Sequence, residues 1–348
     1  MFDDDIRLIS QFHTNAGHSF KTIKTYKTAF NKYRSFHEMS LSDLINEAKI
    51  EQENNVPENK LKIFDRINNF KNHLIKNNTG NTITTTLSKI KTFYKYNRIR
   101  VPFIPPVNRK NIKQNDFISY DDLLTKEEIL KGLRIANDNL RNWILVMTCS
   151  GSSRKECKNM TNKTLFEGTY EYHKKDNFPD AIRYLAKHDN VVCTCKLIRQ
   201  KTNKPYYTFL NPETVQIIAQ SKLKNGDINI NAPLLKHGED YIGRQCRTIN
   251  NYLKLGTAGG YSRFRPHMFR KWHATHLNQG ETINTKQIME IESIDKLQGR
   301  NTTQEAYYKN NPEILKLKYV QTMNNISLYN RYEYEIVDDK IVVRTIYK

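Results

Sequence analysis

Apolar side chains recur every three or four residues through most of the first hundred positions, which is the spacing of amphipathic helices. One apolar stripe runs from Ile23 to Phe36. Ser40 and Asp43 then form a capping-box pattern, which predicts the start of a shorter helix. The outer faces of these segments carry Lys, Asn and Thr. The pattern therefore predicts a compact unit of four helices. Its apolar stripes are Ile23, Tyr26, Phe30, Tyr33 and Phe36; Leu44 and Ile45; Ile63, Ile67, Phe70 and Leu74; and Ile83, Leu87, Ile90 and Tyr94.

The helical periodicity stops at a proline-rich segment, 101–107. Three prolines fall within five residues there, at 102, 105 and 106, and basic residues follow as far as Lys113. Proline cannot continue a helix and favours an extended, semi-rigid connector. We therefore expect a helical domain over 1–100 and a basic linker over 101–117.

A second helical region follows the linker and contains one β-rich interruption. Thr125 and Glu128 form another capping box, and an apolar helical core covers 143–147. The β-rich runs at 191–198 and 206–209 are joined by a turn-forming segment, so they predict a hairpin. Asn211 before Pro212 marks the start of a helix. Helical stripes resume at 241–254, 267–278, 284–298 and 303–323, and the tail 334–347 alternates like a strand.

These patterns predict a mainly α fold with a small β-hairpin or sheet. We expect a second domain over 118–325 and a C-terminal tail over 326–348, whose strand would dock on a neighbouring protomer. The N-terminus is acidic where a signal peptide is basic and apolar, and no apolar run is long enough to span a membrane. We therefore expect a cytoplasmic protein.

Charge adds information about the partner. The 348 residues include 56 Lys and Arg against 36 Asp and Glu, a net charge of +20. Such an excess favours a polyanionic partner, most simply nucleic acid. A solvated basic surface, or a bias of the lineage toward Asn and Lys, would give the same number. Five cysteines without a CxxC pair fit a reduced intracellular protein better than a disulfide framework or a zinc site.

Strong hydrogen-bond donors stand at separated places in the second region. They include Arg154, Lys201 in the hairpin turn, and the pair His267 and Arg270. Residues three apart on a helix share a face, so His267 and Arg270 can point at one ligand. Guanidinium groups match the paired oxygens of a phosphodiester and stabilise the extra charge of its transition state.

Three motifs around these donors resemble those of the tyrosine recombinase/integrase family, particularly its archaeal and archaeal-virus members. FRPHMFRKWHATHL at 264–277 is similar to the family's HxxR helix. SGSSRKECKNMT at 150–161 resembles the first-arginine motif, and RQKTNKPYYTF at 199–209 resembles the hairpin that carries the catalytic lysine. The resemblance spans nearly the whole chain. It implies a SAM-like helical core-binding domain followed by the tyrosine-recombinase catalytic domain.

The resemblance also implies roles for individual residues. Arg154 and Arg270 would hold the scissile phosphate, and Tyr307 would attack phosphorus to form a 3′-phosphotyrosyl link. Lys201 would protonate the 5′-oxygen that leaves, and His267 would assist proton transfer. The covalent link conserves the energy of the phosphodiester, so we expect no ATP, metal or other cofactor.

Some positions of the motifs leave alternatives. Arg300 stands where the family has a second His or a Trp; it can donate to a phosphate oxygen but cannot accept a proton. Tyr308 is the alternative nucleophile to Tyr307, and Lys204 is the alternative to Lys201. Glu156 is expected to orient an arginine.

The resemblance implies a site-specific recombinase of a virus or other mobile element. Its partners would be double-stranded DNA, a homo-tetramer on paired sites and accessory DNA-bending proteins, with no membrane. The alternatives are a nicking and closing enzyme like a type IB topoisomerase, which shares the chemistry, and a catalytically inactive DNA-binding clamp.

Overall fold

A computed structural model divides the chain into two compact units, 1–117 and 118–348. The structure describes residues 3–107, 118–200, 202–278, 311–338 and 340–346. The described residues contain no helix long and apolar enough to cross a membrane. Arg300, Tyr307, Tyr308 and Lys201 lie outside the described residues, as does the predicted helix at 284–298.

Residues 3–107 of the first unit form five α-helices where the sequence pattern predicted four. The additional helix, α1, has a helical stripe of its own at Ile6, Ile9 and Phe12, which lies before the first predicted stripe and was not counted. Phe12 of this stripe is buried, whereas Ile6 is 48% exposed. The helices are α1 (Asp3–Asn15), α2 (Phe20–His37), α3 (Leu41–Glu53), α4 (Lys62–Asn77) and α5 (Gly80–Tyr96).

Local signals and packing explain these helices. Ser40 caps α3 by accepting a hydrogen bond from the backbone N–H of Asp43, as the capping pattern predicts. Aromatic rings fill the core, where the buried hydroxyls of Tyr33 on α2 and Tyr94 on α5 lie 3.1 Å apart. Burial raises the pKa of Tyr94 to about 12, so this pair stays neutral.

The segment expected to start the linker packs on the first unit. Ile104 is only 5% exposed and belongs to the same core cluster as the helices. The Lys71 ammonium also donates to the carbonyl of Pro105 at 3.2 Å. Residues 101–107 are therefore part of the helical unit, and the rest of the expected linker, 108–117, lies outside the described residues.

The second unit is mainly helical and carries three small antiparallel sheets of two strands each among its described residues. The capping box at Thr125 and the Asn211 cap with Pro212 behind it are both present. The helices are α6 (Lys126–Ile135), α7 (Asp138–Ser150), α8 (Arg154–Asn159), α9 (Asn162–Gly168), α10 (Tyr170–His173), α11 (Phe178–Lys187), α12 (Pro212–Lys224), α13 (Glu239–Tyr252), α14 (Pro266–Asn278) and α15 (Pro312–Thr322). The strands are β1 (Cys193–Arg199), β2 (Lys204–Leu210), β3 (Thr257–Ala258), β4 (Tyr261–Ser262), β5 (Arg331–Val337) and β6 (Lys340–Ile346).

Helix α7 lies at the centre of this unit. Every residue from Asn142 to Ser150 is buried, which matches the apolar run predicted there. Trp143 is fully buried, and its indole N–H donates to the carbonyl of Lys236 at 2.8 Å. Because α7 is buried and its Trp143 indole N–H is hydrogen-bonded, the helix firmly supports the loop that follows it.

The predicted hairpin is confirmed as β1 and β2, which pair in register from Cys193 with Leu210 to Arg199 with Lys204. Cys193 and Cys195 face the same side of β1, and their sulfurs lie 3.7 Å apart in the core. Burial raises the pKa of the nearby Cys149 thiol to about 12, so Cys149 is a protonated core side chain.

The tail differs from the single strand that was expected. It forms two strands, β5 and β6, which pair with each other from Arg331 with Ile346 to Val337 with Lys340. Tyr332 and Val343 enter the core of the second unit, so the base of this hairpin belongs to its own chain. Its distal part exposes Ile336 and Val337.

A buried carboxylate fixes the start of this tail. Glu213, on the first turn of α12, is 2% exposed and accepts hydrogen bonds from three consecutive backbone N–H groups. The donors are Leu328 at 2.6 Å, Tyr329 at 2.9 Å and Asn330 at 2.9 Å. The tail is therefore attached within the chain by charge-assisted bonds, which are stronger than neutral ones.

Candidate active site

The loop between α7 and α8 presents Arg154. Gly151 ends α7 with φ 61°, a left-handed conformation that glycine adopts without strain. Ser153 then caps α8, forming a reciprocal capping box with Glu156. Arg154 is therefore the first residue of α8, and its Nη1 donates to the carbonyl of Glu239 on α13 at 3.1 Å.

Arg270 of α14 holds this loop from the other side. Its Nη1 donates to the carbonyl of Gly151 at 2.7 Å and lies 3.6 Å from the carboxylate of Glu156. Glu156 is 5% exposed and also accepts from the backbone N–H of Ser153 at 2.7 Å. One carboxylate therefore links the segment of the first arginine to the second arginine.

His273 and His276 are structural. His273 is fully buried, and its Nδ1 lies 2.9 Å from the carbonyl of Thr148. A Cβ at Gly151 would come within 2.4 Å of the His273 ring, so only glycine allows this close approach. Burial lowers the pKa of His273 to about 3, so the ring stays neutral at physiological pH. The His276 ring stacks on the buried Trp272.

A basic cleft opens where α8, α13, β4 and the start of α14 meet. It has a volume of about 220 Å³ and is lined by Arg154, Arg247, Arg265 and His267, together with Tyr261 and Ser262. No acidic side chain of the described residues lines it. His267 is exposed. The structure thus brings Arg154 and His267 together in a site suited to an anion.

The base of the β1–β2 hairpin is attached to the Arg154 loop. The Thr208 hydroxyl donates to the carbonyl of Ser150 at 2.8 Å, and the hydroxyls of Tyr206 and Ser152 lie 3.4 Å apart. Lys201 falls between β1 and β2 in the sequence and is outside the described residues, whereas Lys204 begins β2 and is exposed. The described part of the hairpin is thus anchored next to Arg154.

Helix α15 attaches the chain that follows the candidate nucleophile. Its Tyr319 hydroxyl donates to the carbonyl of Cys149, at the end of α7, at 3.0 Å. The buried Lys316 pairs with Glu171 and lies 5.1 Å from the ring of Tyr172. The described chain therefore resumes, three residues after Tyr308, against the helix that leads into the Arg154 loop.

Two basic residues of the cleft, Arg247 and Arg265, were not predicted from the sequence. Arg265 stands two residues before His267, and this proximity was the available signal. Arg247 lies on α13, far from every recognised motif, and only the tertiary fold brings it to the cleft.

No family model matches the chain, and no curated protein is significantly similar to it in sequence. Solved structures are similar in fold. The XerH site-specific recombinase bound to difH substrate has a TM-score of 0.53 at 12% identity, covering 90% of this chain and 83% of that one. The lambda integrase tetramer bound to a Holliday junction has 0.52 at 13%, covering 88% and 79%. A lambda integrase dimer bound to a COC′ core site has 0.51 at 10%, covering 86% and 75%.

The fold class predicted from the sequence is confirmed. The chain is mainly helical with small antiparallel sheets, and its fold is that of the tyrosine recombinases.

Proposed function

We propose that this protein is a site-specific DNA recombinase that cuts and rejoins DNA through a 3′-phosphotyrosyl intermediate. The observation that carries the proposal is the cleft in which Arg154 and His267 meet, beside a loop that Arg270 clamps. Guanidinium donors held in place before the substrate arrives can stabilise the charge that develops on a phosphate. Recombinases of the same fold, bound to DNA, support the choice of substrate.

Each proposed role follows from the chemistry of its side chain. Arg154 and Arg270 donate to the non-bridging oxygens of the scissile phosphate. Glu156 orients Arg270, which also keeps the loop of Arg154 in place through Gly151. His267 hydrogen-bonds the phosphate and assists proton transfer. Tyr307 is the nucleophile, and Lys201 protonates the leaving 5′-oxygen.

Arg300 completes this set as a further donor to the phosphate. We also propose four protomers on two DNA sites and a role in integrating or excising a mobile element. The lambda integrase tetramer on a Holliday junction is the relevant neighbour for that assembly.

The first unit supports binding to duplex DNA. Helices α2 and α5 pack together and contain no Asp or Glu, whereas they carry several lysines. Lys21, Lys24, Lys27 and Lys32 of α2 and Lys95 of α5 are exposed. Such a surface fits the phosphate backbone of a duplex.

DNA binding by the whole chain should depend steeply on salt. Binding that neutralises several phosphates releases counterions, so the logarithm of the association constant K should fall linearly with the logarithm of the salt concentration. Each phosphate contact should contribute about −0.9 to the slope. Fluorescence anisotropy of a labelled duplex without any special sequence, between low and physiological salt, measures this slope. An affinity that does not change over this range would show that the net charge of +20 has no role in DNA binding.

Lys201 should act on the leaving group. Lys201→Ala should slow cleavage by roughly 10²-fold, a typical contribution of a general acid, because the 5′-oxygen leaves unprotonated. A substrate with sulfur at that bridging position needs little protonation, so it should restore the rate. Lys204→Ala is the matched control. If the sulfur-containing substrate restores the rate of Lys204→Ala and not that of Lys201→Ala, the general acid is Lys204.

The proposed function is tested by trapping the covalent complex. A duplex that carries the recombination site, with a nick close to the cleavage position, releases a short fragment after cleavage and so prevents religation. A protein–DNA adduct resistant to denaturant should accumulate. Its absence on every DNA that the protein binds would identify a DNA-binding clamp instead. Exchange of strands between two paired sites distinguishes a recombinase from an enzyme that only relaxes supercoiled DNA.

A further inference from the structure

We infer that Arg247 and Arg265 form a second phosphate-binding site, which holds a phosphodiester of the cleaved strand next to the scissile one. The inference rests on the proposed function, because it takes DNA as the occupant of the cleft. Both arginines line the cleft that contains Arg154 and His267, and neither belongs to the set of residues assigned to the reaction.

Arg265 is fixed in place before any ligand arrives. Its Nη1 donates to the carbonyls of Ala258 at 3.2 Å and Ser262 at 3.1 Å, and its guanidinium lies 5.0 Å from the centre of the Tyr261 ring. Its Nε and Nη2 form no hydrogen bond with any described residue. One end of the fork is thus anchored on the protein, while the other remains available for a phosphate oxygen.

Arg247 approaches the cleft from α13, one turn after the point where Arg154 contacts this helix. A Cβ at Gly243 would lie 3.3 Å from Nη1 of Arg154, and Arg247 follows Gly243 by four residues on the same helical face. Arg247 is exposed and has no hydrogen bond or ion pair with the described residues. Its guanidinium therefore has no protein carboxylate to compete with a ligand.

The spacing suits a single DNA strand. Four residues of α-helix rise about 6 Å, and successive phosphates of one strand rise about 3.4 Å along the duplex axis. A strand whose scissile phosphate is held by Arg154 would place a neighbouring phosphate, one or two nucleotides away, near Arg247. The absence of acidic side chains from the described lining, together with the partial burial of Arg265, favours an anion there.

The experiment measures binding in a Tyr307→Phe background, so that it does not depend on cleavage. Arg247→Ala and Arg265→Ala should each weaken binding to a 30-base-pair duplex by about tenfold and lower the slope of log K against log salt by about one. Arg244→Ala, an exposed arginine of α13 that does not line the cleft, is the matched control. Losses equal to those of the control would overturn the inference.

A second measurement locates the contacts. Single uncharged methylphosphonates are placed at each position around the cleavage point of the trapping substrate, and binding is measured for each. When the methylphosphonate replaces the phosphate that the arginine contacts, next to the scissile one, the wild-type protein and the arginine variant should bind this DNA equally. The negative charge that the arginine would contact is then already absent from the DNA. A variant that keeps its full defect at every position contradicts the inference.

Failure of this inference and failure of the proposed function are distinguishable. If no adduct forms, the recombinase proposal fails, but the salt slopes of the variants still report the phosphate contacts. Arg265→Ala also removes two bonds to backbone carbonyls. Arg247→Ala removes no bond to a described residue, so it tests the site without disturbing the fold.

Discussion

Tyr307→Phe is expected to abolish the covalent protein–DNA adduct completely and to leave DNA binding unchanged. The substitution removes only the hydroxyl that attacks phosphorus, whereas the arginines that hold the phosphate remain. Incubation with the nicked trapping substrate, followed by denaturing electrophoresis, measures the adduct. Anisotropy with the same DNA measures binding.

Tyr308→Phe is the matched control for this variant. The sequence pattern predicts a helix over 303–323, and adjacent residues of a helix point about 100° apart, so we expect only one of the two hydroxyls to face a given phosphate. The control should therefore keep most of the adduct. Mass spectrometric mapping of the trapped peptide identifies the modified side chain directly, and a modification on Tyr308 would reverse the assignment.

Arg154→Ala should slow cleavage by about 10²- to 10³-fold, which is the usual effect of removing one preorganised donor to a developing charge. Arg154 is held in position because α8 begins with it and the carbonyl of Glu239 on α13 accepts one of its hydrogen bonds at 3.1 Å. Single-turnover cleavage at saturating protein separates this effect from weaker binding. Lys155→Ala, at the exposed neighbouring position, should cleave at the wild-type rate.

Arg154→Lys distinguishes the role of geometry from that of charge. Lysine keeps the positive charge but lacks the planar fork that contacts two oxygens. We expect cleavage to stay at least tenfold below the wild-type rate. A lysine variant with full activity would mean that charge alone is needed at this position, and the paired contact proposed for Arg154 would be wrong.

Most of the elements could be predicted because their signals are local. The N-cap at Ser40, the capping box at Thr125 and the proline behind Asn211 each mark a helix start within four residues. The tail hairpin was missed because its turn lacks the usual glycine. Asp338 instead adopts φ 48° at that turn. Aspartate tolerates this left-handed conformation, but its presence in a sequence does not by itself predict a hairpin turn.

The candidate site could be predicted only in part, for the same reason. His267 and Arg270 share one helix, so their spacing alone places them on one face. The clamp of Arg270 on Gly151 spans 119 positions and depends on how α14 packs against α7. Arg247 and Arg265 enter the cleft through tertiary packing as well, and no short pattern encodes such an arrangement.

The attachment of the tail through Glu213 has a consequence for protein synthesis. The three backbone amides that donate to this carboxylate belong to residues 328–330, which follow Glu213 by more than a hundred residues in the sequence. A nascent chain that ends before residue 328 lacks all three of these donors and leaves the carboxylate with the Asn211 side-chain amide, which donates to it at 3.2 Å. Since Tyr332 and Val343 also belong to the core of the second unit, that unit completes its fold only after the ribosome has translated this segment.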